Sequence, residues 1–238
     1  MQPPDPRCRS KKPAILELHT RAHSEGFVRV LGKFGPCEFD IWSVTRTNMQ
    51  RALQGKTITV PSALSDMEEL TDVTGTTFRS ADVLDIAQRH RTTISTATLV
   101  SYYVVFLNGY FVDDAGKVQK NVLGVTAGDS GVIAMFKPVI RSASGGRAAT
   151  SASMFVEQSS LVHEIGHALG LVNSGIPLST KHQDSAYGAH CTNERCVMYW
   201  LNEGAADATD FVRQYVSTGS EILFGSECLA DLDAAAQK

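Results

Sequence analysis

His163-Glu164-Ile165-Gly166-His167, followed three residues later by Gly170, constrains this chain more than any other part of its sequence. From Met154 to Val172 there is no proline, and glycine stands only at 166 and 170, so the segment reads as one helix. At about 100° per residue, Leu161, Ile165, Ala168, Leu169 and Val172 fall on one side. His163, His167 and Gly170 fall on the opposite side, with Glu164 at its flank. The helix is therefore expected to bury one stripe and aim the other at a site. Two imidazoles four residues apart can reach a single ion, and their chemistry suits zinc. The carboxylate beside the first of them can take a proton from a water that the ion activates. Chance produces such a run on the order of once in a hundred chains of this size. Each glycine costs a helix about 1 kcal/mol against alanine. Gly170 is accounted for as the point where the helix ends and the chain turns.

A catalytic zinc takes three protein ligands and keeps one position open. The H-E-x-x-H-x-x-G run resembles the metzincin clan of metallopeptidases, in which a third histidine follows three residues after the glycine. Here that position is Asn173. Farther on, His190-Cys191-Thr192-Asn193-Glu194-Arg195-Cys196-Val197-Met198 is similar to the H-C-x4-C-x-M stretch of the archaemetzincins. The resemblance implies that His163, His167 and His190 hold one catalytic zinc ion. It implies that Glu164 is the general base, and that Met198 forms the floor called the Met-turn. The function it implies is zinc-dependent hydrolysis of a peptide or protein substrate. Residues 173 to 189, 17 in all, are inserted between the two halves of the motif.

Two rivals contend for the third ligand. His182-Gln183-Asp184 could supply His182 or Asp184 as a ligand, or support His190 from behind. His190 is favoured because it alone has the family's spacing to Met198. Asn202-Glu203-Gly204-Ala205-Ala206-Asp207 resembles the N-E-x-x-S-D element of thermolysin-like gluzincins, where the glutamate ligates zinc, which would give that role to Glu203. That reading leaves Gly170 and the His-Cys block unexplained. A further alternative is a non-catalytic zinc-binding domain. Glu164 argues against it, since a structural site needs no base and normally fills its fourth position.

Archaemetzincins also carry a late C-x-x-C-L element that holds a structural zinc together with the two earlier cysteines. Gly225-Ser226-Glu227-Cys228-Leu229 keeps only the second cysteine. With that ligand missing, a disulfide or free thiols among Cys191, Cys196 and Cys228 is expected rather than a second zinc. Pro6-Arg7-Cys8 is similar to the cysteine switch of matrixin propeptides, in which a thiolate blocks the open metal position. The residues that follow in that family are absent, so latency through Cys8 is not expected.

A net charge of −3 argues against a nucleic-acid partner. No uninterrupted apolar run is long enough for a transmembrane helix, and the N-terminus shows no apolar signal region. Five cysteines, with the family resemblance, point to a secreted, periplasmic or surface-anchored enzyme.

The expected fold class is α/β (α+β), metzincin-like. It has a twisted mixed β-sheet, a backing helix, the active-site helix and a smaller irregular C-terminal subdomain ending in a helix. Residues 1–24 read as a lead-in and 25–238 as one catalytic domain, with lobes at about 25–171 and 172–238. Strands are expected at Phe27–Leu31, Glu38–Thr45, Thr57–Val60, Thr98–Leu107, Val122–Ala127 and Val132–Ile140. Asn108-Gly109 signals a hairpin into Tyr110–Val112. Ser80 is the expected N-cap of a helix to Arg89 with Val83, Leu84, Ile86 and Ala87 inward. Later helices are expected at Asp207–Tyr215 and Ser226–Gln237. By resemblance, Gly131–Phe136 is the exposed edge strand on which an extended peptide would lie.

Overall fold

Tyr102–Leu107 and Val132–Phe136 are buried at every position. A strand achieves that only where both faces of its sheet are covered, so these two runs lie at the centre of the molecule. The computed structural model of the chain describes residues 18–23, 33–34, 37–38, 42–61, 66–143, 151–204, 211 and 221–237. Its strands are β1 (Leu18–His23), β2 (Lys33–Phe34), β3 (Cys37–Glu38), β4 (Glu68–Leu70), β5 (Thr77–Phe78), β6 (Tyr102–Leu107), β7 (Tyr110–Val112), β8 (Val118–Gln119), β9 (Gly124–Thr126) and β10 (Val132–Phe136). Its α-helices are α1 (Ser43–Ala52), α2 (Ser80–His90), α3 (Lys137–Ala143), α4 (Ser151–Ala168) and α5 (Ser226–Ala235).

The main sheet runs β4-β1-β6-β10-β9. Its first four strands are parallel, and β9 closes it antiparallel to β10, with Ile133 opposite Thr126 and Met135 opposite Gly124. Helix α4 packs against β9 and β10 and also against α1 and α3. Every residue from Gln158 to Gly166 is buried. Over that stretch the stripe expected to face a site is therefore buried along with the stripe expected in the core. Its buried polar groups find partners across the fold. Gln158 Oε1 accepts the Val44 N–H at 3.0 Å, doing for the first turn of α1 what a capping side chain would do. Asn48 on α1 donates to the carbonyls of Val44 and Glu221, both at 2.8 Å, and accepts the Leu223 N–H at 2.7 Å. That side chain fastens the C-terminal segment to α1.

The mixed α+β architecture with a backing helix agrees with the sequence, and several details do not. Strand Gly131–Phe136 is not the edge; β10 lies between β6 and β9, and β9 is the terminal strand. Asn108-Gly109 makes no hairpin, because β7 leaves the main sheet to pair with β5 and β8. The expected strand Val132–Ile140 stops at Phe136, where α3 begins, and Glu38–Thr45 gives way to α1 from Ser43. Thr57–Val60 is neither strand nor helix. Ser80 is the first residue of α2 rather than its cap; Asp82 reaches back to accept the Arg79 N–H at 2.8 Å. Leu84, expected inward, is 40% exposed. Strand β1 falls within the segment read as a lead-in, so the sheet begins at Leu18. The expected strand at Phe27–Leu31 lies outside the described residues, as does the helix at Asp207–Tyr215 apart from Phe211. Among the described residues, no helix is long and apolar enough to cross a membrane.

Candidate metal centre

Helix α4 ends just beyond the second histidine of the motif. The Gly170 N–H bonds the His167 carbonyl at 2.9 Å and the Leu171 N–H reaches back to the Gly166 carbonyl at 3.1 Å. This paired closure requires a left-handed residue between helix and exit, and Gly170 supplies it at φ +83°. Val172 and Asn173 continue in the left-handed region, at φ 54° and 63°. For β-branched Val172 this stores roughly 1–2 kcal/mol. Asn173 turns aside and donates to Gln183 Oε1 at 3.2 Å.

The turn returns the chain so that His190 meets the two helix histidines. One ligand-capable atom from each of His163, His167 and His190 lies within 4.8 Å of the others. The ring centroids stand 4.7 to 5.3 Å apart. His163 Nδ1 faces the Val197 carbonyl at 2.6 Å and His190 Nδ1 faces the Tyr187 carbonyl at 2.5 Å. A carbonyl only accepts, so each Nδ1 carries the proton and each Nε2 presents a lone pair. The Nε2 atoms of His163 and His167 are 3.0 Å apart, where two ligands of a tetrahedral zinc stand about 3.3 Å apart. Imidazoles oriented from behind by carbonyls are what such an ion needs, so the residues fit it.

Three further contacts hold this cluster. The Cys191 N–H bonds the Met198 carbonyl at 2.7 Å, fixing the residue after His190 to the turn beneath. Asn202 Nδ2 donates to the carbonyls of Cys196 and Val197 at 3.1 and 3.0 Å, bracing the same turn. Met198 is fully buried against α4, and a Cβ on Gly166 would stand 2.2 Å from its sulfur. The glycine inside the helix is therefore the space Met198 occupies. The sequence marks Asn202 only as the start of the gluzincin-like element, not as a brace of this turn, and it does not mark the Val197 and Tyr187 carbonyls. Gly166 is the one signal, a costly residue in a helix interior.

Glu164 is 4% exposed and lies against the edge strand. Thr126 Oγ1, on β9, is 2.8 Å from both the carboxylate Oε2 and the main-chain oxygen of Glu164. The carboxylate that follows His163 in the motif is thus held by the strand that ends the sheet, a contact the sequence does not reveal.

His182 lies in a second cluster. Its Nδ1 is 3.4 Å from Cys191 Sγ, and its Nε2 is 2.7 Å from Oδ2 of the buried Asp231. Cys196 and Cys228 have their sulfurs 3.5 Å apart, and no disulfide joins the three cysteines. Hydrogen bonds from Cys196 and Cys228 pull the Cys191 thiol down to about 2. Asp184 accepts the Ala186 N–H at 3.1 Å within a turn, apart from the imidazoles. The side chain of Glu203 and the whole of Cys8 lie outside the described residues.

No family model matches the chain, and no curated protein matches it. Its fold is shared by solved structures, two of which are zinc-peptidase-related. One is a zinc-dependent peptidase from Methanocorpusculum labreanum, 15% identical, with a TM-score of 0.53 over 91% of this chain and 100% of that one. The other is an archaemetzincin from Methanopyrus kandleri, 10% identical, with a TM-score of 0.54 over 94% of this chain and 97% of that one. The chain therefore has the fold of these two proteins across nearly its whole length.

Proposed function

We propose that the chain is a zinc-dependent peptidase of metzincin type. The observation that carries this reading is the convergence of the three imidazoles of His163, His167 and His190, with buried Glu164 following His163 in the chain. Likeness of fold to two solved proteins, one a zinc-dependent peptidase and the other an archaemetzincin, supports it. His163, His167 and His190 would hold one zinc ion. Zinc bound there supplies Lewis acidity toward a water and toward the scissile carbonyl. Glu164 takes the proton of the attacking water and delivers it to the leaving amine. The Thr126 hydroxyl keeps the carboxylate in place, and the carbonyls of Val197 and Tyr187 keep two imidazoles in the tautomer that binds metal. Met198 fills the floor without joining the chemistry.

The substrate reading follows from the same geometry. Strand β9 is antiparallel, terminal and in contact with Glu164 through Thr126. An extended peptide adding to its free side would pass beside the base. This moves the proposed substrate strand from Gly131–Phe136 to Gly124–Thr126. The two-lobe division near residue 171 belongs to the same reading, with the helix motif in one lobe and His190 in the other.

Replacing Glu164 by Gln tests the mechanism. The variant should keep its zinc and lose peptide cleavage by on the order of a hundredfold to ten-thousandfold. Near-full activity would remove Glu164 from the reaction. His190→Ala should sharply lower zinc content while Glu203→Gln leaves it unchanged, and the opposite result would assign the chain to the gluzincin pattern. Absence of cleavage across a mixed peptide library at every zinc concentration would leave a binding domain instead.

A further inference from the structure

We propose that Tyr187 is a positioning residue for the metal centre. Its ring, stacked on Trp200, clamps the inserted segment onto the stretch after Met198 and so fixes the main-chain carbonyl that orients His190. The inference rests on the peptidase reading for its ion, but it concerns side chains outside the helix motif.

The backbone fixes the shape of the loop. Residues 184 to 190 are closed at their base, where the Asp184 N–H bonds the His190 carbonyl at 2.7 Å and the Thr192 N–H bonds the His182 carbonyl at 2.8 Å. At the tip the Tyr187 N–H bonds the Asp184 carbonyl at 3.0 Å, and Gly188 follows in the left-handed region at φ +73°. Asp184 Oδ1 accepts the Ala186 N–H at 3.1 Å, and Gln183 Nε2 donates to the Gly188 carbonyl at 2.8 Å. A Cβ on Gly188 would meet nothing within 4 Å, so that side of the tip is open. These bonds are all local. They set the form of the loop, not its place on the fold. Yet the Tyr187 carbonyl, 2.5 Å from His190 Nδ1, belongs to this tip, and a hydrogen bond weakens steeply as its alignment is lost.

The aromatic stack supplies the place. The Tyr187 and Trp200 rings lie parallel, 1° between planes and 3.9 Å between centroids. Trp200 opens a single 3-10 turn, Trp200–Glu203, and the Tyr199 ring stands 6.1 Å from it. That stretch is braced independently of the loop tip. The Tyr199 N–H bonds the Cys196 carbonyl and the Asn202 N–H bonds the Tyr199 carbonyl, both at 3.0 Å. Trp200 is thus the fixed side and the Tyr187 ring carries the loop to it. Tyr187 is 45% exposed, so the ring adds little to the core, and its flat face serves the contact with Trp200.

An imidazole oriented from behind holds a metal more tightly than one left to turn, and losing the orienting partner costs about tenfold to a hundredfold in affinity. The partner here is main chain, which substitution cannot remove, but the ring that places it can be removed. Since Tyr187 lies within residues 173 to 189, the insertion is part of the centre and not only a wall beside it.

The test measures zinc affinity of the full, folded chain by competition with a chromogenic chelator. Tyr187→Ala should weaken zinc binding about tenfold or more, and Tyr187→Phe, which keeps the ring, should stay within about twofold of the unchanged chain. Trp200→Ala should weaken binding to a similar degree, and adding Tyr187→Ala to it should change little, because the two rings act as one pair. In a His190→Ala background, where the oriented imidazole is gone, removing the Tyr187 ring should leave the residual affinity as it is. A ring that only stabilised the fold would lower Tm in chelator and leave zinc affinity untouched. Unchanged affinity in Tyr187→Ala, or an equal loss in Tyr187→Phe, would overturn the proposal whether or not the chain cleaves peptide. If Trp200→Ala does not fold, the two Tyr187 variants still decide. A chain in which Tyr187→Ala loses zinc and Tyr187→Phe keeps it, yet which cleaves no peptide, would keep the positioning role and remove the peptidase reading.

Discussion

At Gly166 a single hydrogen faces the Met198 sulfur where any other residue would place a carbon 2.2 Å away. The position therefore sets helix propensity against packing. Gly166→Ala gains about 1 kcal/mol of intrinsic helix stability. It also forces a fully buried methionine out of its place, and overpacking of this kind costs about 1–3 kcal/mol. The expected net result is a destabilised chain with reduced activity, since Met198 lies on the turn that carries the Val197 carbonyl facing His163. Met198→Ala in the same chain removes the clash, so the double variant should be more stable than the sum of the single losses. Urea unfolding of the four chains measures the coupling. Strict additivity would mean that the two side chains do not meet.

Among the elements, β9 bears most directly on substrate. It is three residues long, pairs with β10 alone among the described strands, and carries Thr126 beside Glu164. If a peptide adds to its free side, main-chain hydrogen bonds supply much of the binding. Methylating single amide nitrogens along a cleaved peptide should then raise KM about tenfold or more at alternate positions, since only every second N–H points toward the strand. Equal effects at all positions would argue against strand addition. Little of this is legible in the sequence, where Gly124–Thr126 is one short apolar run among several. The reason is physical: apolar runs mark β6 and β10 because both their faces are covered, but exposure of an edge depends on which strand lies alongside. Strands β1 and β4 are polar, LHTRAH and EEL, and held by backbone pairing, so no periodicity announces them. Val139 and Ile140 read as strand because they are β-branched, yet α3 buries them as helix residues. The motif helix and the spacing from His190 to Met198 are legible because they are local. Thr126, Asn202 and the place of His182 are not, because each meets its partner only after the chain has folded.

For the whole molecule, the proposed ion and the fold are linked through distant segments. His163 and His167 sit on the helix enclosed by the sheet, α1 and α3, while His190 arrives from beyond the insertion. Asn48 ties α1 to the segment leading into α5, and α5 carries Asp231 and Cys228. An ion bound by the three imidazoles can be held only when these segments are together, so it binds the folded chain and not the unfolded one. Its stabilisation grows as RT ln(1 + [L]/Kd), about 4 kcal/mol at a thousandfold excess over Kd. For a chain of 238 residues that corresponds to a rise in Tm of roughly 10 °C. Thermal unfolding across a series of buffered free-zinc concentrations should give a Tm that climbs with zinc and collapses with chelator. His190→Ala should remove most of that response, because it takes away one of the three imidazoles. A Tm indifferent to zinc would mean that the imidazole cluster binds no ion in the folded chain. A zinc response that survives His190→Ala unchanged would place the binding elsewhere.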